Sequence, residues 1–199
     1  TQSDRWRWQC GDEALELPVP MLAAPSQIAN AAAAVTALQA LRGSIAWSPQ
    51  AIAQGVREAQ VPGRLQRIAD SPQVIVDVAH NPQAARELAR WLEANPVPGK
   101  TFAVFGALGD KDVSGIVRAL HPHIAHWLLA GLENDSPRGL PVGQLAERVR
   151  AALPAVSSSE CNDVSAALQA ARRQARQDDR ILVFGSFFMV SGALKDRHP

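Results

Sequence analysis

Residues Gln73–Pro82 read QVIVDVAHNP, and how this stretch is read decides the fold. Val74-Ile75-Val76 is an apolar run of strand-forming residues. Asp77 follows it, and His80 comes three positions later. Asn81 caps a helix well, and Pro82 suits the first helical position, where its missing N–H has no partner to lose. The stretch is therefore a strand that ends in an acid and feeds a capped helix. In α/β proteins ligands bind there, at the carboxyl ends of the strands. A carboxylate so placed needs a partner or water, because burying it unpaired is costly.

The same alternation continues on both sides of it. Upstream, Arg64–Ala69 reads as a strand, and Asp70-Ser71-Pro72 is a turn short enough to pair it antiparallel with Gln73–Val78. Downstream, the helix Pro82–Ala94 carries Ala85, Leu88, Ala89 and Leu92 on one stripe. Strands follow at Thr101–Phe105, Ile124–Ala130, Ala155–Ser157 and Arg180–Phe184. Between them lie helices over Asp112–Leu120, Leu140–Leu153 and from the Asn162-Asp163 cap to Ala175. Gly185-Ser186 turns into a last helix ending at Leu194. This order predicts an α/β, Rossmann-like fold: a mostly parallel six-stranded sheet with one antiparallel strand and helices on both faces.

The first sixty residues differ. Thr1–Leu17 alternates Trp6 and Trp8 with polar residues and turns at Gly11-Asp12, which predicts a β-hairpin with packing tryptophans. An alanine-rich helix, Ile28 to Leu41, follows, with Ser26 as its cap and Gly43 as its stop. Asn30 is a polar residue within it, and on spacing alone a solvent-facing or locally bonded asparagine is the leading reading. A second helix runs from Ser48-Pro49 to Glu58. Val61-Pro62-Gly63 breaks the pattern, and the domain boundary is placed there: residues 1–61 and 62–199. A hairpin and two helices are too little to hold a core alone. With no Met at position 1, the chain is expected to be a piece of something longer.

Composition narrows the function. Of 199 residues, 47% are hydrophobic, enough for a core, and 20 Lys+Arg balance 19 Asp+Glu. No basic block marks a nucleic-acid surface. No apolar run approaches the ~20 residues of a membrane span. Cys10 and Cys161 form no motif, so a cytoplasmic protein is expected.

Four loops at predicted strand ends carry unusual residues: Asp77–Asn81, Gly106–Asp112 (GALGDKD), Gly131–Gly139 (GLENDSPRG) and Gly185–Phe187 (GSF). A parallel sheet gathers them on one rim. Asp77 and His80 could be acid and base, ligand contacts, or a pair that stabilises the turn, and spacing leaves these level. Lys111 could meet an anion, although a solvated turn capped by Asp112 is the plainer reading. Ser186 could offer a hydroxyl and a helix N-terminus to a carboxylate, or be an ordinary cap. Arg64 could clamp a phosphate, or be a surface arginine in a turn. His121, His123 and His126 invite a metal. On a strand the first two share a face and the third does not, so no metal site is expected. The chain contains neither GxxxxGK[ST] nor GxGxxG.

DVAHNP, preceded by VPGR (Val61–Arg64) and followed by GALGDKD and VFGSF (Val183–Phe187), resembles the dihydrofolate synthase/folylpolyglutamate synthase family of Mur-ligase-like amide-bond ligases. The segment IANAAAAV resembles the helix that closes the family's central ATPase domain. The resemblance covers nearly the whole chain, in order. It implies activation of a carboxylate of dihydropteroate or folate by ATP as an acyl phosphate, then attack by L-glutamate. It places Asn30 near the adenine and Arg64 and Asp77 on ATP. It links His80 and Ser186 to catalysis and glutamate binding, and gives Lys111 and Asp112 substrate roles. The P-loop and the Mg²⁺ ligands belong to an N-terminal half not contained here, so this chain is expected to be inactive alone. It also implies a monomer. A cell-wall Mur-type ligase and a free-standing nucleotide-binding domain are the alternatives.

Overall fold

The computed structural model describes residues 4–20, 27–59 and 61–196. The chain forms two compact units, Thr1–Pro62 and Gly63–Pro199.

In the first unit, β1 (Arg5–Cys10) and β2 (Glu13–Pro18) pair antiparallel around Gly11, whose φ of 59° is left-handed. Alternation along the hairpin buries Trp8 and Leu17. The helices α1 (Gln27–Ala40) and α2 (Pro49–Glu58) add Val35 and Val56 to the same small core. Trp8 Nε1–H donates to Thr36 Oγ1 at 3.1 Å, so this tryptophan packs and is hydrogen-bonded. Ser48 caps α2 by accepting from Ala51 N–H. The expected cap of α1, Ser26, lies outside the described residues.

The second unit contains β3 (Gln66–Asp70), β4 (Gln73–Val76), α3 (Pro82–Ala94), β5 (Thr101–Phe105), α4 (Val113–Leu120), β6 (His126–Ala130), α5 (Val142–Ala152), β7 (Ser158–Cys161), α6 (Val164–Gln174), β8 (Arg180–Phe184) and α7 (Phe187–Lys195). The six strands form one sheet in the order β3-β4-β8-β5-β6-β7, with only β3 antiparallel. The chain steps from β4 to β7 through α3, α4 and α5, which contact one another in series. It then returns through α6 to insert β8 between β4 and β5. The return runs in the opposite direction, so a right-handed crossover carries α6 over the other face. There Val74, Val76, Phe102, Val104, Leu128 and Ile181 pack against Leu168 and Met189. Facing the other way, Phe105, Trp127 and Phe184 form an aromatic cluster with centroids 5.0–6.1 Å apart.

Three expectations need correction. The sixth strand is Ser158–Cys161, not Ala155–Ser157. It is an edge strand, half exposed, so its polar residues gave no apolar signal. The strand expected at Arg64 begins at Gln66, because Gly63 and Leu65 take φ of 75° and 43°, outside the strand region. The strand expected from Ile124 begins at His126, after a single 3₁₀ turn that holds His121 and His123, and His126 turns its ring nitrogens to Ser157 Oγ and Ser159 Oγ. Among the described residues no group of three or more His, Cys, Asp or Glu could hold a metal ion. No described helix is long and apolar enough to cross a membrane.

Candidate active site

The carboxyl ends of β4, β8, β5 and β6 stand side by side in that order. The loops Asp77–Asn81, Gly185–Phe187, Gly106–Asp112 and Gly131–Gly139 therefore form one continuous rim. Hydrogen bonds zip the last two together: Gly109 N–H donates to Arg138 O at 2.8 Å and Leu140 N–H to Ala107 O at 3.0 Å. A Cβ on Gly139 would lie 1.9 Å from Leu132 O, so only glycine permits this closure.

Asp77 leaves β4 and is buried at 6% exposure. Its Oδ2 accepts from Leu65 N–H at 2.8 Å and its Oδ1 from Ala79 N–H at 2.7 Å. Val78 N–H donates in turn to Gly63 O at 2.8 Å. The Gly63-Arg64-Leu65 turn is thus fixed to the tip of β4, and Arg64 stands beside the carboxylate. Burial pushes the Asp77 pKa above its usual value, against the pull of the two N–H donors and the Arg64 charge.

His80 lies half-buried in the same loop, with Nδ1 2.9 Å from Val78 O. A carbonyl only accepts, so Nδ1 carries the proton of the neutral ring. Nε2 is then the acceptor, and it becomes a second donor on protonation. Asn81 caps α3 by accepting from Ala84 N–H. The first turns of α3 and α4 nearly touch: a Cβ on Gly115 would lie 2.6 Å from Pro82 Cγ and 2.5 Å from Asp112 Oδ2. Asp112 is the α4 cap, accepting from Gly115 N–H at 2.8 Å, and so is brought beside the His80 loop. Lys111 Nζ donates to Asp110 Oδ2 at 2.8 Å, and this bond holds the Asp110 carboxyl below its usual pKa.

Ser186 is buried and caps α7, its Oγ accepting from Met189 N–H at 3.2 Å. The hydroxyl proton is left to donate. Gly185 takes φ of 117°, and a Cβ there would lie 2.1 Å from Gly106 O, so β8 and β5 end in close approach. The rim thus presents three helix N-termini (α3, α4 and α7), a guanidinium and an imidazole. That set can bind an anion and exchange a proton beside it. Asn30 is on α1 in the first unit, where its Nδ2 donates to Gln27 Oε1 at 3.3 Å, the locally bonded arrangement.

Residues 63–187 match the family described as Mur ligase, glutamate ligase domain. The chain belongs to the Mur ligase family. It is 37% identical over 192 residues, 96% of its length, to the dihydrofolate synthase/folylpolyglutamate synthase of Escherichia coli K12, covering 42% of that protein. It superposes on E. coli FolC solved with DHPP and ADP at a TM-score of 0.81 and 35% identity, covering 98% of this chain and 44% of that one. A bifunctional folylpolyglutamate synthase/dihydrofolate synthase solved with Mn, AMPPNP and L-glutamate also gives a TM-score of 0.81, at 40% identity, with 98% and 44% covered. The chain therefore spans less than half the length of the Mur ligase relatives it matches, and corresponds to their C-terminal portion.

Some of what builds this Mur ligase rim is backbone, and sequence reasoning missed it. The amides of Leu65 and Ala79, which hold Asp77, are invisible to motif reading. Only the acceptor at Asp77 with an amide two residues on carries an Asx-turn signal. Gly115 in the first turn of α4 marks the contact with Pro82, but only once the two helices are known to be neighbours.

Proposed function

We propose that this chain is the C-terminal part of an ATP-dependent carboxylate–amine ligase that adds L-glutamate to dihydropteroate or to folate γ-glutamyl tails through an acyl phosphate. Residues 1–61 are the tail of a central ATP-binding domain, and 62–199 are the ligase domain. The parent works as a cytoplasmic monomer, without nucleic-acid or membrane partners.

The residues fit ATP in part. Arg64 offers a cation for its phosphates. Asp77 repels phosphate, and its two N–H bonds leave only lone pairs, so it suits a hydroxyl or amino donor of the nucleotide. Asn30 is assigned to the adenine, through an amide that can donate and accept. The described residues offer no carboxylate cluster for Mg²⁺, so its ligands would come from the remainder of the enzyme.

The observation that carries the proposal is the orientation of His80. With Nδ1 tied to Val78 O, Nε2 is left to accept a proton from an incoming ammonium. Ser186 and the α7 N-terminus suit the carboxylates of glutamate. Lys111 and Asp112 flank the acceptor. Donors fixed in place stabilise the charge of the tetrahedral intermediate more than the ground state.

The test is glutamate incorporation by the full-length enzyme carrying this chain. ATP-dependent product is expected with dihydropteroate or folate and not with UDP-muramoyl acceptors, and the 199 residues alone should give none. His80→Ala should lower kcat by about 10²–10⁴-fold with an unchanged circular dichroism spectrum. Full kcat in that variant would sink the assignment of His80, and turnover of UDP-muramoyl substrates would sink the folate assignment.

A further inference from the structure

The first residues of β5 and β8, Thr101 and Arg180, are direct register partners. Their side chains therefore stand together on one face of the sheet, at the end opposite the candidate active site. Both are buried, with Arg180 3% and Thr101 8% exposed. Three sides of the guanidinium are occupied by neutral groups: Nε donates to Gln73 Oε1, Nη2 donates to Asn95 O at 2.6 Å, and the Trp91 ring lies 4.8 Å from Cζ. The neighbouring carboxylate of Asp179 is taken up by backbone, accepting from Lys100 N–H and Arg176 N–H, each at 2.6 Å. Among the described residues Arg180 forms no ion pair.

Two donor atoms remain without a partner among the described residues, Arg180 Nη1 and the Thr101 hydroxyl, and Arg180 Nη2 keeps its second N–H beside Nη1. Neither of the two unpartnered atoms is sealed off: the fully buried side-chain atoms without partners are Gln39 Oε1 and Trp127 Nε1. Arg180 and Thr101 line a cavity of about 320 Å³ with Lys100, His123, Leu92 and Ile124. None of its lining residues is acidic. At the mouth, Glu93 Oε1 engages His123 Nε2 at 3.5 Å from a largely exposed side chain.

A buried cation without an anion is costly, and burial pulls its pKa down. A guanidinium fork is shaped to meet an oxyanion through two parallel N–H bonds. We propose that the cavity at the amino ends of β5 and β8 is a binding site for a small oxyanion, a phosphate or a carboxylate, held by Arg180, Thr101 and Lys100. It lies at the far end of the strands from His80 and Ser186, so its occupant does not compete with the substrates of the rim.

The test titrates inorganic phosphate and, separately, acetate into the chain, with chloride at matched ionic strength as the control. The readouts are the NMR shifts of Thr101 and His123 and the melting temperature. Saturable shifts and a melting temperature raised above the chloride value are expected for at least one oxyanion, and the two arms tell which. Arg180→Met should abolish saturation. Thr101→Val, which keeps the packing and the buried cation, should weaken binding several-fold, as should Lys100→Ala. Non-saturating shifts, shifts equal in chloride, or saturation unchanged in Thr101→Val and Arg180→Met would overturn the site.

Discussion

Leu65 N–H donates to Asp77 Oδ2 at 2.8 Å, tying the turn before β3 to the tip of β4. The bond is what keeps Leu65 at φ of 43°, a left-handed conformation that a branched residue adopts only when its surroundings over-determine it. Arg64 sits between this residue and Gly63, at φ of 75°. A Cβ on Gly63 would lie 2.9 Å from Val190 Cγ1. The candidate phosphate contact is thus delivered by a turn that Asp77 holds from one side and α7 packs from the other.

Asp77→Ala should therefore cost stability as well as activity. It strands two buried amides, Leu65 and Ala79, and each lost partner costs about 1–3 kcal/mol. A total of about 2–6 kcal/mol is expected in urea unfolding, with faster hydrogen exchange at the Leu65 amide. Unchanged stability and unchanged exchange would show that the carboxylate holds nothing.

Glycine substitutions should separate close approach from mere flexibility. Gly139→Ala puts a methyl 1.9 Å from Leu132 O, and Gly185→Ala combines φ of 117° with a contact of 2.1 Å to Gly106 O. Each should lose about 2–4 kcal/mol and loosen the rim. Gly143, in the first turn of α5, has open space for a methyl, with nothing within 4 Å of where the added carbon would stand. Gly143→Ala should gain about 0.5 kcal/mol from the smaller unfolded ensemble. Thermal melts of the three variants check the order, and equal effects would refute it.

Much of this was legible in the sequence. Val74-Ile75-Val76 and Arg180–Phe184 are strands buried on both faces, so their apolar runs announce a parallel sheet. Asn81, Asp112, Asp163 and Ser186 cap the helices that follow them, where local chemistry alone places them. Ser158–Cys161 was not legible, since an edge strand facing water needs no apolar pattern. Nor was the insertion of β8 between β4 and β5, because strand order depends on contacts distant in sequence. The Asp77, Gly115 and Gly139 contacts have the same origin: each side chain or glycine answers to an atom that the local sequence does not name.

Asp179 and Asp77 should pull the pH dependence of stability in opposite directions. Burial pushes the Asp179 carboxyl up, but the N–H groups of Arg176 and Lys100 outweigh it and hold the folded value below 3.8. The folded state then binds fewer protons than the unfolded chain, so this stabilisation is lost as the pH falls below 3.8. Asp77 has a raised folded value, binds the extra proton in the window just above 3.8, and takes stability away as the pH rises through it. Urea unfolding between about pH 5 and pH 2.5 should show a smaller acid-induced loss for Asp179→Asn than for the parent chain. An identical slope would mean that the two amide bonds do not favour the charged form.

Trp127 offers a sharper test of what the core tolerates. Its indole N–H is fully buried and has no hydrogen-bond partner among the described residues. Its ring meets Phe105 edge-on at 5.7 Å and Phe184 at 6.1 Å. Trp127→Ala removes the largest member of that cluster and should cost about 3–5 kcal/mol. Trp127→Phe keeps an aromatic ring against the stacked phenylalanines and removes the stranded donor, a gain of about 1–3 kcal/mol. Against this stands the smaller ring, which leaves a void and lost contacts of similar worth. The two terms nearly cancel, so the phenylalanine variant should unfold within about 1 kcal/mol of the parent chain. A loss as large as that of the alanine variant would show that the unpaired N–H does not offset the void.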